Sequence, residues 1–126
     1  MQVAVLVGAV GLIVASAGHC LAQDASAGEK VFAKCKACHV VDADTNKIGP
    51  SLNGVVGRTA GTHEGFRYSK AMTEAGESGL VWNDETLTAY LRDPKGYIKG
   101  NKMAFVGLKK DEDLANVIAY LKQFSQ

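Results

Sequence analysis

An excess of charge of either sign is missing from this chain of 126 residues. Lysine and arginine number 14 against 13 aspartate and glutamate, a formal net charge of +1. The basic surplus that a nucleic-acid surface demands is therefore absent. Large side chains are scarce too: aromatics make up 7%, tryptophan occurs once and proline twice. The length suits one domain with one core. Yet few aromatics beside 14 glycines leave that core short of filling. Small glycine-rich domains commonly complete themselves with a disulfide, a metal or a bound group. Repeats, low-complexity tracts and convincing strands are lacking, and cysteine is limited to three.

Positions 1–22 contain no Lys, Arg, Asp or Glu, and Val3 to Ala17 is apolar or small throughout. That pattern predicts a secretory signal peptide over 1–22, cut between Ala22 and Gln23, with the mature domain over 23–126. The alternative is a retained anchor tethering the domain to a membrane. Its apolar run of roughly 15 residues is shorter than the ~20 that a spanning helix needs. Export removes Cys20 with the leader and leaves two cysteines in an oxidising compartment.

The mature chain alternates helical pattern with long irregular stretches. Asp24 to Lys36 reads as a helix that Asp24 or Ser26 can cap, Ser26 with Glu29 making a capping box, and Gly28, Val31, Phe32 and Cys35 lie on one face. Residues 40–68 show no sustained period, and so long a loop in a compact domain usually serves a site. Ser69 opens a short helix that Gly76 closes. Asn83 or Asp84 opens another, with Leu87, Tyr90 and Leu91 inward, stopping before Pro94. Lys95 to Lys110 is again irregular. Asp111 then caps a last helix with an apolar stripe of Leu114, Val117, Ile118 and Leu121.

The stretch "EKVFAKCKACHVV", residues 29–41, carries the chemistry. A Cys-X-X-Cys pair serves as a redox dithiol, as half a zinc site or as a cofactor attachment. A zinc site wants four ligands; Cys35, Cys38 and His39 supply three, and only His63 remains in the mature chain as a fourth. A redox dithiol normally follows a strand and opens a helix, whereas this pair closes one. With His39 immediately after Cys38, the motif is the attachment signature of c-type haem, in which both thiols form thioethers with the porphyrin. A flat apolar group wrapped by loops also supplies the missing core. The iron then needs a sixth ligand or an open position. Two mature methionines are available, Met72 in the short helix, where core packing accounts for it, and Met103 in the loop "KGNKMAFVG".

"CKACH", "IGPSLNGVVGR", "GFRYS", "LVWNDETLTAYLRDPKGYIKGNKM" and "VIAYLKQF" together resemble class I cytochrome c, of the bacterial cytochrome c2 and mitochondrial type. The likeness runs from about Ala27 to Phe124. It implies an all-α fold of four to five short helices around one covalently bound haem c, first and last helices crossing at Gly28. It further implies that His39 is the proximal iron ligand, that Met103 is the second, and that the Pro50 carbonyl receives the other imidazole N–H. Arg58, Tyr68 and Trp82 resemble donors to the haem propionates. Tyr90 resembles the buried tyrosine near the axial sulfur, and Phe105 the aromatic at the exposed haem edge. Asn101 stands where many relatives have threonine beside a propionate. Lys99 stands where many have proline, which predicts a looser methionine loop.

Lys34, Lys36, Lys95, Lys99, Lys102, Lys109 and Lys110 cluster in sequence around the attachment site and the methionine loop. The resemblance makes them a basic ring for acidic redox partners, with Glu74, Glu77, Asp84 and Glu85 elsewhere. The function implied is a soluble, monomeric, periplasmic electron carrier and not an enzyme. It would link a quinol-oxidising bc-type complex to a terminal oxidase or photosynthetic reaction centre. The rival reading is a haem peroxidase or ligand sensor with a labile methionine.

Overall fold

The computed structural model describes residues 23–125, so the predicted leader lies outside them. Five helices follow in order: α1 Ala25–Phe32, α2 Lys70–Glu77, α3 Asp84–Arg92, α4 Pro94–Tyr97 and α5 Asp111–Lys122. Among the described residues no strand forms, and β pairing is limited to an isolated bridge between Thr59 and Val81. None of these helices is long and apolar enough to cross a membrane.

The first and last helices pack directly against each other. Gly28 makes this possible, because a Cβ there would overlap the Asn116 carbonyl of α5. The approach is locked by the Asp24 N–H donating to Asn116 Oδ1 at 2.9 Å and by Phe32 stacked on Tyr120, centroids 5.3 Å apart. Leu114, Val117, Ile118 and Leu121 form the predicted stripe, each 3% exposed or less. Burying each such side chain is worth about 1.5–3 kcal/mol, which makes this crossing the apolar centre of the protein half of the core.

Several boundaries differ from the sequence reading. The first helix ends at Phe32, and residues 33–38 continue as tight turns, with Cys35 N–H on the Phe32 carbonyl and His39 N–H on the Cys35 carbonyl. Its cap is Asp24, whose carboxylate accepts from Ser26 and Ala27; Ser26 donates to that carboxylate instead of heading a capping box. The second helix runs through Gly76, which is bare because it packs against the Ala60 carbonyl, and stops before Gly79 at φ +101°. The third agrees with the reading: Asn83 caps it, through a reciprocal Asn83–Thr86 capping box. One turn of helix, α4, forms within the stretch read as irregular, because Pro94 suits a first helical position and Asp93 caps it. Lys110, not Asp111, is the N-cap of α5, without a side-chain hydrogen bond. Asp111 instead lies in the first turn and pairs with Arg92 at 2.5 Å, adding to the acidic charge that a helix N-terminus favours.

The long loop from 40 to 68 is tied down by backbone bonds to distant segments. Gly54 N–H reaches the Phe124 carbonyl, Gly57 N–H the Trp82 carbonyl and Ala60 N–H the Leu80 carbonyl, at 2.7–2.9 Å. Buried backbone must find such partners, and these bonds lay the loop along one wall of a cavity. Residues 101–105 and Leu108 of the later irregular stretch supply another wall.

Candidate haem site

Every residue that the sequence assigned to a cofactor lines this one cavity: Cys35, Cys38, His39, Pro50, Arg58, Tyr68, Trp82, Tyr90, Asn101, Met103 and Phe105. They come from α3 and the link before it, the turns after α1, and both long loops, segments far apart in sequence. Leu52, Val55, Leu87, Leu108 and Leu121 complete an apolar lining.

The turns after Phe32 put both thiols on the cavity wall. Cys35 and Cys38 are unbridged, and burial pushes the Cys35 thiol up to about 11, so it stays protonated at neutral pH. His39 follows with its Nδ1 2.7 Å from the Pro50 carbonyl. A carbonyl only accepts, so Nδ1 carries the proton and Nε2 keeps a free lone pair. Burial lowers the imidazole pKa, which favours the neutral form that can ligate a metal. Gly49 lies flat behind the ring; a Cβ there would collide with it. One carbonyl and one bare backbone thus hold the ring.

On the other wall, Met103 is half-buried and the Tyr90 hydroxyl lies 3.8 Å from its sulfur. Burial pushes the Tyr90 phenol up to about 12, so it remains a neutral donor. Trp82 packs on Tyr90 with centroids 5.0 Å apart. Arg58 is half-buried, donates to the Ser51 and Asn53 carbonyls, and has no carboxylate within ion-pair distance among the described residues. Desolvation lowers its pKa, yet a guanidinium stays charged in proteins. Asp44 acts on this half-buried cation only from beyond ion-pair distance, which leaves its N–H groups open to an anion supplied by a ligand. Thiols, a lone-pair imidazole, a thioether, a guanidinium without a paired carboxylate and an apolar lining fit a haem carrying acidic side chains.

Some expected residues have other tasks as well. Asn101 gives both amide hydrogens to the Pro94 and Ile98 carbonyls, so no donor remains for a propionate. Lys95 Nζ holds the Asn101 carbonyl at 2.6 Å, and Lys109 Nζ holds the Arg92 carbonyl at 2.7 Å, so both brace the methionine loop. Lys34 and Lys102 stand on the cavity wall, whereas Lys36, Lys99 and Lys110 are exposed away from it. Met72, read as core filling, lines the cavity too. Phe66 is a lining residue that sequence reasoning missed; it packs edge-on against Tyr68, centroids 4.9 Å apart. Its position two residues before Tyr68 in a stretch without helical period was the available signal, because alternate residues share a face wherever the chain is not helical.

The cytochrome c family model matches residues 25–125. Cytochrome c2 of Afifella marina is 52% identical over 100 residues, spanning 79% of this chain and 81% of that relative. Cytochrome c2 of Blastochloris viridis is 45% identical over 115 residues, 90% of this chain and 88% of the relative. Among solved structures, cytochrome c2 from Rhodospirillum centenum superposes with a TM-score of 0.78 at 42% identity, over 82% of this chain and 99% of that one. Motif, cavity and likeness agree on one haem c bound covalently through Cys35 and Cys38. The chain belongs to the cytochrome c family, as a class I c-type cytochrome of the cytochrome c2 kind that carries electrons on a single haem.

Proposed function

We propose that this protein is a soluble, monomeric periplasmic carrier that passes one electron at a time from a quinol-oxidising bc-type complex to a terminal oxidase or photosynthetic reaction centre, without catalysing a reaction of its own. The observation that carries the reading is the pairing, in one apolar cavity, of the His39 imidazole with the Met103 thioether. When bound, haem c supplies an iron that accepts and returns one electron. His39 Nε2 and Met103 Sδ would hold that iron, a ligand pair that would raise its potential and leave no position for a substrate. Pro50 fixes the imidazole's tautomer and orientation. Arg58, Tyr68 and Trp82 face the acidic side chains, and the apolar lining keeps water from the ring.

Electron exchange needs only that a partner approach the cavity mouth, where Phe105, Lys34 and Lys102 stand. Lys36, Lys99 and Lys110 are exposed off the cavity wall, and in this reading they extend the positive field beyond its mouth. Residues 1–22 direct the chain across the inner membrane and are cut off in this reading. The test is electron delivery to an oxidase or reaction centre by a protein carrying Lys34→Glu, Lys36→Glu and Lys102→Glu. Rim charges steer encounter more than they strengthen the complex. The variant should be slowed about ten- to hundredfold at low salt. The defect should shrink toward physiological salt, where the screening length is about 8 Å. A control with Glu74, Glu77 and Glu85 changed to Lys should be affected less. Equal slowing by both sets would remove the basic ring from the docking surface.

A further inference from the structure

The stretch 102–107 makes no backbone–backbone hydrogen bond among the described residues. The next such bond after Asn101 is Leu108 N–H to the Leu91 carbonyl at 2.8 Å. Met103 therefore sits in a span that the backbone does not hold. Its own N–H goes to a side chain, Asn101 Oδ1, at 2.9 Å. That side chain is 4% exposed. One amide hydrogen goes to the Pro94 carbonyl at 2.7 Å and the other to the Ile98 carbonyl at 2.8 Å, the first residue and the C-cap of α4. From outside, Lys95 Nζ grips the Asn101 carbonyl at 2.6 Å.

We infer that Asn101, braced by Lys95, is a positioning residue that latches Met103 in the cavity by tying its backbone to both ends of α4. Two donors and one acceptor on a single planar group are required, and asparagine supplies them at this length. Threonine offers one donor, aspartate none when ionised, and alanine nothing. The latch also answers the expectation that Lys99 loosens this loop: the side chain of Asn101 restores the restraint. A buried network of this kind, fully satisfied, is rigid; without the asparagine side chain the Met103 N–H loses its acceptor, while the Pro94 and Ile98 carbonyls keep only the backbone N–H groups of Ile98 and Asn101.

The inference rests on the reading of Met103 as an iron ligand, and the experiment separates the two. On the haem-loaded ferric protein, the rate of imidazole entry to the iron reports how often Met103 leaves. Asn101→Thr and Asn101→Ala should raise that rate roughly ten- to hundredfold, with Ala above Thr. Lys95→Met should raise it several-fold. Exchange of the Met103 amide hydrogen should be protected in the parent protein and lose protection in both Asn101 variants. Leu114→Ala, in the α1–α5 crossing, should lower the melting temperature as much while leaving imidazole entry unchanged. An unchanged rate in the Asn101 variants, or an equal rise in Leu114→Ala, overturns the latch. If neither Asn101 variant folds, an unprotected Met103 amide in the parent, or an unchanged rate in Lys95→Met, overturns it instead. Should Met103→Ala leave the iron as closed as before, the ligand reading fails and the latch falls with it.

Discussion

The two walls of the cavity are fastened by different means. On the His39 side the backbone does the holding: consecutive turns from Phe32 to His39, a carbonyl 2.7 Å from the imidazole and a glycine flat behind it. The two attachment cysteines lie within four residues of the imidazole, so the haem itself anchors that wall. On the Met103 side the restraints come from side chains: Asn101, Lys95, Lys109 and the Tyr90 hydroxyl. A backbone-clamped wall has few ways to move, whereas one hung on side chains opens when a few hydrogen bonds exchange for water. Proteins with both kinds of wall concentrate their mobility on the second.

The most severe way to break the contrast is to remove the covalent anchor. Cys35→Ala with Cys38→Ala should leave no thioether, and the chain should fail to accumulate as folded, coloured protein. With typical domain stability at about 5–15 kcal/mol, a core emptied of its central group has little left to draw on. Each single variant should keep at most one thioether, visible as a shifted haemochrome spectrum. A folded, redox-active double variant with normal colour would show that the anchor is dispensable.

Next comes the side-chain-held wall. Met103→Ala should lower the potential by a few tenths of a volt, out of the roughly 0.8 V that axial ligands span. It should also admit carbon monoxide and cyanide. Met72→Leu, a swap of similar volume, should cost less than about 1.5 kcal/mol and leave the spectrum alone. If the two variants exchange these phenotypes, the ligand is Met72 and the loop argument is lost.

The smallest effect sharpens the comparison from the backbone-held side. Gly49→Ala places a methyl against the imidazole, and the ring has no room to retreat without losing its bond to Pro50. Thermal unfolding should show a loss of about 1–3 kcal/mol. The potential should shift because the hydrogen bond from His39 to the Pro50 carbonyl tunes the iron, yet carbon monoxide binding should stay undetectable. Ligand entry in this variant comparable to that of Met103→Ala would mean that the two walls do not differ as argued.

Much of this protein was legible from local pattern alone. The spacing of Cys35, Cys38 and His39 is chemistry written in consecutive residues, so the attachment site needed no tertiary information. The α5 stripe and the Asn83 helix start were equally local. Where the reading erred, a distant partner had intervened. Gly76 looked like a helix stop, but the Ala60 carbonyl packed against it explains the missing side chain, and Gly79 takes the turn instead. Ser26 and Glu29 had the spacing of a capping box, but the Asp24 carboxylate accepts the first-turn bonds.

The sequence by itself determined the covalent chemistry and four of the five helix-forming segments, because each depends on residue type at short spacing; the close approach at Gly28 followed only from the family resemblance. Only the tertiary structure decided what Asn101, Lys95 and Lys109 are for. As letters, an asparagine where relatives have threonine and two lysines near a docking face read as a cofactor neighbour and two rim charges. Their hydrogen bonds run instead to the carbonyls of Pro94, Ile98, Asn101 and Arg92. Which carbonyls a side chain meets depends on where the folded backbone brings them, and residue identity alone does not specify that.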